Sequence, residues 1–372
     1  MTRANPSKRK KRGPMPLLLS AHNRPTILGF WHKETPYLNK VCIATAHPMP
    51  RQPQPAPFDG ALVIDKPRGK TSHDVVDAVR HLAGFRQIGH LGTLDPLATG
   101  VLVLLLGRAT RLVQFYNGRR KRYSAAFRFG FATDTYDSDG EEQGPDSSPA
   151  LDATVLEKLA AEKVCRFEQI PPAFSAKKVK GRPAYELARK KQPVELKPVE
   201  VELFEYKLTG IEGSVARFVI ECSSGTYIRS LAHDMGQRLG CGAHLTEITR
   251  TAVGEFFLEQ AIKLEELAEA ARAGKFADCM IRLENLLPNF PRVNVLPVIE
   301  KRVRHGTKFN IQIAQIQPGR AELPPGATAQ LDGGETKPPR LRVFSQQDKL
   351  VAIAEALVPR TYQPIVVFDP LP

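Results

Sequence analysis

The feature that most constrains this chain is a run of six consecutive apolar residues, Val101 to Leu106. The run follows a loop punctuated by glycine, from Gly84 to Gly100. A short, continuous apolar stretch in this setting is typical of a strand that is buried on both faces. The whole chain has 372 residues and a hydrophobic content of 42%. That length is enough for a well-buried core and for about two to three domains.

The segments around this run predict a mixture of strands and helices. Upstream, Ala61 to Ile64 read as a short apolar strand, and Thr71 with Asp74 forms a capping box that begins a helix through about Ala83. Downstream, residues 123–130 alternate as a strand does. Further strands are expected near 199–208 and 216–222, and helices near 110–116, 153–162, 184–190, 227–239 and 262–273. Because these elements do not alternate regularly, they predict an α+β fold with a largely antiparallel sheet flanked by helices.

The two ends of the chain differ from its middle in composition. Residues 1–58 contain ten of the 31 prolines and ten basic residues but only one acidic residue, Glu34, and they lack a lasting apolar period. Such a segment is expected to be disordered. From about residue 291 the chain offers short apolar runs separated by Pro, Gly and polar clusters, which indicates a small β-rich domain. The predicted division is therefore an extension (1–58), a main domain (59–288) and a terminal domain (289–372).

The charge of the chain points to an acidic partner. Its formal net charge is +14, and RNA, DNA or an anionic membrane surface would all suit an excess of that size. Outside residues 1–58 the excess falls to 43 basic against 38 acidic residues, so a polyanion would need a local basic groove. The five cysteines form no CxxC pair, which disfavours a zinc ribbon or a disulfide framework. No stretch approaches transmembrane length, and we expect a soluble, cytoplasmic protein.

The loop before the apolar run contains the most informative residues. In Gly89 to Gly100, with the sequence GHLGTLDPLATG, Asp95 stands in a glycine-rich loop that leads into a buried strand. Loops on rigid strands often carry catalytic groups, although an Asp-Pro pair is also a common turn. Taken alone, the loop leaves both interpretations open.

Six blocks occur in a fixed order within roughly residues 59–256: DKPRGKTSHDVV (65–76), GHLGTLDPLATGVL (89–102), KRYSAAFRFGFATDTYDSDG (121–140), QIPPAFSAKKVKGRPAYELAR (169–189), CSSGTYIRSLAHDMGQRLG (222–240) and CGAHLTEITR (241–250). In this order they resemble the TruB family of pseudouridine synthases, and together they are far more specific than any single motif. The resemblance implies a pseudouridine synthase fold. It also implies isomerisation of uridine to pseudouridine at position 55 in the T-loop of tRNA.

The resemblance implies a set of site residues. Asp95 would be the catalytic carboxylate, acting either as a nucleophile or as the base that begins elimination at the ribose. Arg229, in GTYIRS, would be its ion-pair partner and keep it ionised. Tyr123 would stack on the flipped base as the active-site tyrosine. Four further residues would contact the RNA, line the uracil pocket or support the loop: His90, Tyr227, Ile248 and Lys66.

The resemblance also implies what accompanies the enzyme. The reaction needs no redox step and no outside atoms, so we expect no cofactor and no metal. The terminal segment resembles a small PUA-like domain, which implies help in gripping the acceptor arm. We expect a monomer that binds the T-arm of tRNA without an obligate protein partner. Two basic groups are candidate phosphate contacts: Arg119 to Arg122, and Lys177, Lys178, Lys180 and Arg182.

Two alternatives within RNA biology remain open at this point. A guide-RNA-dependent relative of the dyskerin type shares the Asp loop, but the bacterial-type spacing of GHLGTLDPLATG and the short terminal domain favour a stand-alone enzyme. A folding chaperone for tRNA would need no catalysis, and it predicts that Asp95→Asn leaves the biological role intact. Both roles can coexist in one chain.

Two enzyme classes of other kinds are disfavoured. A P-loop at Gly69-Lys70-Thr71 would require glycine at the position occupied by Ile64. A hydrolytic glycosidase requires two carboxylates as acid and base, and Asp137, Asp139 and Asp234 match no such pattern.

Overall fold

The computed structural model describes residues 58–371 except 176, 180–181, 184–195 and 320–338. Two predictions therefore lie outside the described residues: the disorder of the extension, except at Phe58, and the helix at 184–190. Twenty strands occur in the described part: β1 Gly60–Lys66, β2 Ile88–His90, β3 Thr99–Leu106, β4 Lys121–Phe129, β5 Ala132–Thr133, β6 Glu142–Gln143, β7 Arg166–Gln169, β8 Lys178–Val179, β9 Arg182–Pro183, β10 Val199–Glu212, β11 Val215–Cys222, β12 Ala243–Val253, β13 Phe256–Phe257, β14 Ile281–Arg282, β15 Arg292–Asn294, β16 Phe309–Asn310, β17 Ile316–Gln317, β18 Arg340–Phe344, β19 Leu350–Val358 and β20 Thr361–Val367.

Helices fill the connections between the strands. The α-helices among the described residues are α1 Ser72–Ala83, α2 Val113–Tyr116, α3 Ala153–Ala161, α4 Ile228–Leu239, α5 Leu264–Arg272 and α6 Pro297–Arg304. Short 3₁₀ helices occur at Gly107–Leu112, Leu258–Gln260, Phe276–Cys279, Leu283–Asn285 and Ile313–Gln315. Within the described ranges, no helix is long and apolar enough to cross a membrane.

Ten strands form one large sheet, in the order β14-β1-β3-β12-β4-β11-β10-β7, with β2 also on β3 and β13 also on β12. Its described pairings are antiparallel except one, since β3 and β12 run parallel at Thr99↔Thr249 and Gly100↔Arg250. The prediction of an α+β fold with a largely antiparallel sheet is confirmed.

The apolar run in β3 is buried on both faces, as its sequence predicts. Leu102 and Leu104 are fully buried in a core shared with α1 and α4, on one side of the sheet. Val101 and Val103 are fully buried on the other side, in a second core that includes Phe290. Complete burial of a Leu or Val side chain contributes roughly 1.5 to 3 kcal/mol, so β3 anchors the centre of the fold.

Helix α1 begins and ends where its capping residues predict. The Thr71 hydroxyl accepts from the Asp74 amide at 3.1 Å, and the Asp74 carboxylate accepts from the Thr71 amide at 2.8 Å. At the other end, Gly84 adopts a left-handed φ of +72°, a conformation that glycine takes without a steric penalty. This defined start holds the segment before α1 in place beside the Asp95 loop.

The helix predicted at 110–116 is α-helical in its last four residues and 3₁₀ in its first three. Residues 107–112 form a 3₁₀ helix, and α2 is a single α-helical turn after it. The Thr110 hydroxyl donates to the Gly107 carbonyl at 2.7 Å. Such a local side-chain bond competes with the α-helical hydrogen-bonding pattern, which accounts for the difference.

The last part of the chain forms a second, six-stranded sheet in the order β16-β20-β19-β18-β15-β17, so the predicted β-rich ending is confirmed. Phe344 and Ile353 from this sheet and Phe368, directly after β20, are fully buried and share a core with Val63 and Leu286. The terminal sheet thus packs on the face of the large sheet opposite α1 and α4. The boundary at 288/289 stays a prediction.

Candidate active site

The Asp95 loop connects β2 to β3 and is fixed by the segment before α1. The Ser72 hydroxyl donates to the Leu94 carbonyl at 3.0 Å and accepts from the Leu94 amide at 2.8 Å. The Gly69 amide donates to the Pro96 carbonyl at 2.8 Å. Both neighbours of Asp95 are therefore held by hydrogen bonds, while its own side chain is 50% exposed. A carboxylate on a rigid backbone, open to solvent, is arranged to meet a ligand.

Arg229, in the first turn of α4, lies beside Asp95 as the resemblance implies. Its Nη2 lies 3.0 Å from Asp95 Oδ2 and its Nη1 lies 3.1 Å from Asp137 Oδ2. The guanidinium also donates to the carbonyls of Thr135 (3.1 Å) and Phe174 (2.8 Å). Its side chain is only 7% exposed. Four acceptors from three segments fix this buried cation in a single orientation.

Asp137 is the member of this network to which sequence reasoning assigns no role. It is 5% exposed, and its Oδ1 accepts from the Thr135 hydroxyl (2.6 Å) and the Asp139 amide (3.1 Å). The preceding residue, Tyr136, has a left-handed φ of +64°, which is unfavourable for an aromatic residue. The backbone holds this conformation where it turns Asp137 toward Arg229. The available signal was only its place in the matching block at 121–140.

A cavity of about 400 Å³ opens beside the Asp95 carboxylate. It is lined by a ring of polar, aromatic and aliphatic side chains: Thr93, Leu94, Asp95, Leu97, Ala98, Lys121, Tyr123, Asp137, Lys177, Ser224, Gly225, Thr226, Tyr227, Ile228, Arg229, Leu245 and Ile248. Five of the predicted site residues thus meet at one cavity.

Two tyrosines and an isoleucine supply the flat and apolar walls. Tyr123 lies in β4, and Ala125, two residues later, is on the same face of that strand. Ile248 of the neighbouring strand β12 pairs with Ala125, so it lies close to Tyr123 on this face. Burial raises the pKa of Tyr123 to about 12, an effect that the nearby Arg250 guanidinium opposes. Burial also raises the pKa of Tyr227, an effect that the nearby Arg229 guanidinium opposes. Both phenols keep their protons at neutral pH and present neutral rings to the cavity.

Arg250, in β12, is fully buried and braces the Asp95 loop from below. Its guanidinium donates to the carbonyls of Val101 (2.8 Å), Gly92 (3.0 Å) and Thr93 (3.3 Å). The parallel pairing of β3 with β12 places it there, and that contact requires Gly100, because a Cβ at Gly100 would lie 2.4 Å from the Arg250 carbonyl oxygen. Sequence reasoning missed this residue, since an arginine after an ordinary strand pattern is usually read as exposed.

Lys66 lies behind the loop and does not line the cavity. Its side chain is fully buried, and Nζ donates to the carbonyls of Lys70 (2.6 Å), Pro67 (2.9 Å) and Pro96 (3.4 Å). Burial lowers its pKa to about 8, although Asp95 opposes the shift. The supporting role predicted for Lys66 agrees with this position, and a direct contact with substrate in the cavity does not.

His90 is the second predicted site residue that does not line the cavity. It ends β2, pairs with Leu104 of β3 and is absent from the cavity lining. Its Nδ1 is buried, and no hydrogen-bond partner for that atom occurs among the described residues. Burial lowers the pKa of His90, and the nearby Arg250 lowers it further, so its imidazole is neutral near pH 7. The strand register places His90 opposite Leu104, and the loop sequence does not reveal this pairing.

No group of three or more His, Cys, Asp or Glu side chains in the described ranges is arranged to hold a metal ion. The chemistry that the site itself offers is that of a carboxylate held by a guanidinium, next to a cavity with neutral aromatic walls. Such a cavity fits a flat, uncharged ring, and the carboxylate can attack or deprotonate an atom attached to that ring.

The fold resembles solved structures of a protein complex and of a protein–RNA complex. A crystal structure of a Cbf5-Nop10-Gar1 complex matches with 24% identity and a TM-score of 0.59, over 83% of this chain and 83% of the matched chain. A structure of an H/ACA RNP bound to a substrate RNA containing 2'-deoxyuridine matches with 24% identity and a TM-score of 0.60, over 84% of this chain and 85% of the matched chain. At this identity the likeness establishes the fold that the two share.

Sequence comparison defines the family. The profile described as TruB family pseudouridylate synthase (N terminal domain) matches residues 80–228, and that of the tRNA pseudouridylate synthase B C-terminal domain matches residues 229–288. The tRNA pseudouridine synthase B of Solibacter usitatus is 44% identical over 310 residues, which are 83% of this chain and all of that protein. The protein of the same name from Geobacter sulfurreducens is 38% identical over 81% of this chain and 94% of its own. The chain belongs to the TruB family of pseudouridylate synthases.

Proposed function

We propose that this protein converts uridine 55 in the T-loop of tRNA to pseudouridine, with Asp95 as its catalytic carboxylate. One observation supports this above all: the Asp95–Arg229 ion pair stands at a cavity walled by Tyr123, Tyr227 and Ile248. Family membership supports the isomerase activity. The names of the relatives from Solibacter usitatus and Geobacter sulfurreducens support tRNA as the substrate.

The reaction breaks the bond from N1 of uracil to C1′ of ribose and forms a bond from C5 to C1′. The proton on C5 is lost and N1 gains one, so the product has the same atoms as the substrate. Arg229 holds Oδ2 of Asp95, and we assign the reaction to Oδ1. That oxygen either attacks C1′ or removes the proton from C2′. A guanidinium 3.0 Å from Oδ2 holds the carboxylate in one position for either route.

The target base must leave its stack to reach this carboxylate. Its ring is flat and uncharged, and the cavity of about 400 Å³ offers it the faces of Tyr123 and Tyr227 and the side chain of Ile248. Stacking on an aromatic side chain contributes roughly 1 to 3 kcal/mol per base in complexes with single-stranded nucleic acid. That gain offsets part of the cost of extruding the base.

We further propose that the enzyme acts in the cytoplasm as a monomer, on naked tRNA, without a guide RNA or a protein partner. In this proposal residues 59–288 form the catalytic domain and residues 289–372 a PUA-like domain that grips the acceptor arm, while residues 1–58 form a basic extension. The solved structures of similar fold come from multi-protein complexes, so the guide-dependent alternative needs a direct test.

The test is release of tritium from an unmodified tRNA transcript labelled at C5 of uridine. Purified full-length protein should release one label per tRNA without any added cofactor or guide. Asp95→Asn should release none, and a transcript with cytidine at position 55 should give none with the wild type. Asp77→Asn, a change at an exposed aspartate of α1, is the matched control and should keep full activity.

Each alternative has its own outcome. No release by the wild type, despite tight binding of the transcript, would overturn the stand-alone enzyme and favour a guide-dependent one. Release that persists in Asp95→Asn would remove Asp95 from the mechanism. If Asp95→Asn loses release but still refolds denatured tRNA as the wild type does, a chaperone role accompanies the catalytic one.

A further inference from the structure

The basic run at 119–122 contains four cations in a row, and the structure gives them different surroundings. Arg119 is buried and donates to the Phe115 carbonyl (3.4 Å) and to Asn289 (3.2 Å). Arg120 lies 3.2 Å from Glu221, and Arg122 lies 2.6 Å from Glu205. Three of the four therefore stabilise the fold through contacts within the chain, and they are unsuited to be the main phosphate contacts.

Lys121 differs from its neighbours in the run. It is half-buried at the start of β4, two residues before Tyr123, and both side chains line the cavity. Its Nζ donates to the Ser224 hydroxyl at 3.3 Å. In the part of the chain that the structure describes, no carboxylate lies within 4.0 Å of that Nζ.

The charged groups that face Lys121 leave it uncompensated. Arg250 from β12 is a second cation, and Cys222 from β11 is neutral because burial raises its thiol pKa to about 12. His90 from β2 is neutral near pH 7. Both acidic residues of the cavity, Asp95 and Asp137, are paired with Arg229. A half-buried cation beside another cation is unfavourable unless an anion is supplied from outside.

We propose that Lys121 Nζ and Ser224 Oγ form a subsite at the cavity for a backbone phosphate of the extruded nucleotide, a deduction that rests on the proposed function. The base and ribose of that nucleotide are uncharged, so the phosphodiester is the anion that it brings. Lys121 Nζ and Ser224 Oγ lie 3.3 Å apart. Together they can donate to the same phosphate oxygen or to two oxygens of one phosphate. Gly92 leaves this approach open, because a Cβ there would lie 2.9 Å from Nζ.

The subsite predicts a distinctive dependence on pH. Burial, with Arg250, lowers the pKa of Lys121 to about 8 in the free protein. Only the protonated amine attracts a phosphate, so the KM for RNA should rise as pH increases through about 8. In Lys121→Arg the charge persists to a far higher pH, and that rise in KM should disappear.

The experiment is a double-mutant cycle that combines Lys121→Met in the protein with the removal of one phosphate charge from the RNA. The probe is a T-arm stem-loop in which one phosphate, on the 5′ or on the 3′ side of the target uridine, is replaced by an uncharged methylphosphonate. With the wild type, one of the two replacements should raise KM about tenfold, the size expected for the loss of a hydrogen bond to a charged group. Lys121→Met should raise KM about tenfold with the unmodified RNA. It should show no further rise with that methylphosphonate.

Controls separate this proposal from the proposed function. Lys207→Met removes an exposed lysine outside the cavity lining and should leave KM and its response to both methylphosphonates unchanged. Ser224→Ala should show a smaller version of the Lys121→Met result.

If the effects of Lys121→Met and of each methylphosphonate on KM multiply independently, or if Lys121→Met leaves KM unaltered, the proposed subsite is wrong although the enzyme is active. Should Lys121→Met fail to fold, the pH dependence of KM in Lys121→Arg decides by itself. If the wild-type protein shows no activity on the unmodified stem-loop or on whole tRNA, that result would instead contradict the proposed function.

Discussion

Arg229 and Asp137 form a buried ion pair at 3.1 Å, and the outer face of the same guanidinium meets the catalytic carboxylate candidate, Asp95, at 3.0 Å. The side chains of both members of the buried pair are 7% exposed, whereas the side chain of Asp95 is 50% exposed. Asp137 therefore fixes the cation, and the cation fixes Asp95. Two carboxylates and one guanidinium meet in this network, so its formal net charge is −1.

The first prediction concerns this buried pair. Asp137→Asn removes the inner carboxylate and lets Arg229 shift toward Asp95, so kcat should fall on the order of 100-fold, the scale associated with a small misplacement of a catalytic group. KM should change little because Asp137 is buried. Single-turnover tritium release measures this. Asp139→Asn, at a neighbouring exposed aspartate, is the control, and equal activity in the two variants would contradict the relay through Arg229.

A second prediction separates the ring of Tyr123 from its hydroxyl. Because burial raises the pKa of Tyr123 to about 12, the phenol remains a donor throughout the neutral range. Tyr123→Phe keeps the stacking surface and should leave KM nearly unchanged. If the hydroxyl moves a proton during the reaction, kcat should fall by roughly 10² or more. Tyr206→Phe, which removes another buried hydroxyl, one that contacts Met235, is the matched control. An unchanged kcat in Tyr123→Phe would limit Tyr123 to stacking.

The parts of the fold that the sequence predicts are those determined by nearby residues. The double burial of β3 follows from its own six apolar residues, and the start of α1 follows from a capping box four residues long. The cavity with Asp95, Tyr123 and Arg229 follows from the resemblance of whole blocks, because these residues come from three distant elements. Nothing in the local sequence of any one of them reveals the others.

The parts that the sequence does not predict depend on strand register and on loop geometry. Arg250 reaches the Asp95 loop only because β12 runs parallel to β3 at Gly100. Asp137 turns inward through the left-handed backbone at Tyr136. His90 is held in β2 by its pairing with Leu104 of β3 and does not line the cavity. In each case the deciding contact joins segments far apart in the chain, and composition and periodicity carry no information on such contacts.

The third prediction tests Arg250 as the brace of the Asp95 loop. Arg250→Met would leave the carbonyls of Gly92, Thr93 and Val101 without their present donors. The free energy of unfolding should fall by roughly 3 kcal/mol or more, because each of the three carbonyls left without a partner costs about 1 to 3 kcal/mol. Urea unfolding at pH 7 measures the change. Arg282→Met, at a site 80% exposed, should change it by less than about 0.5 kcal/mol. A similar small change in Arg250→Met would show that the loop is held by its other contacts.

The last prediction uses pH to detect the buried state of Lys66. Its pKa falls from the ordinary 10.5 to about 8 in the folded protein, mainly through burial. Between these two values the unfolded chain binds a proton that the folded protein does not, so this residue makes the free energy of unfolding rise with pH from about 8 to 10.5. Lys66→Met has no such titration. From about pH 8 to 10.5 the free energy of unfolding of the wild type should therefore increase relative to that of Lys66→Met. The same comparison with the exposed Lys207→Met is the control, and its difference should stay constant. Parallel pH curves for wild type and Lys66→Met would mean that Lys66 keeps an ordinary pKa, and that the carbonyls of Lys70 and Pro96 hold it as a fully charged ammonium.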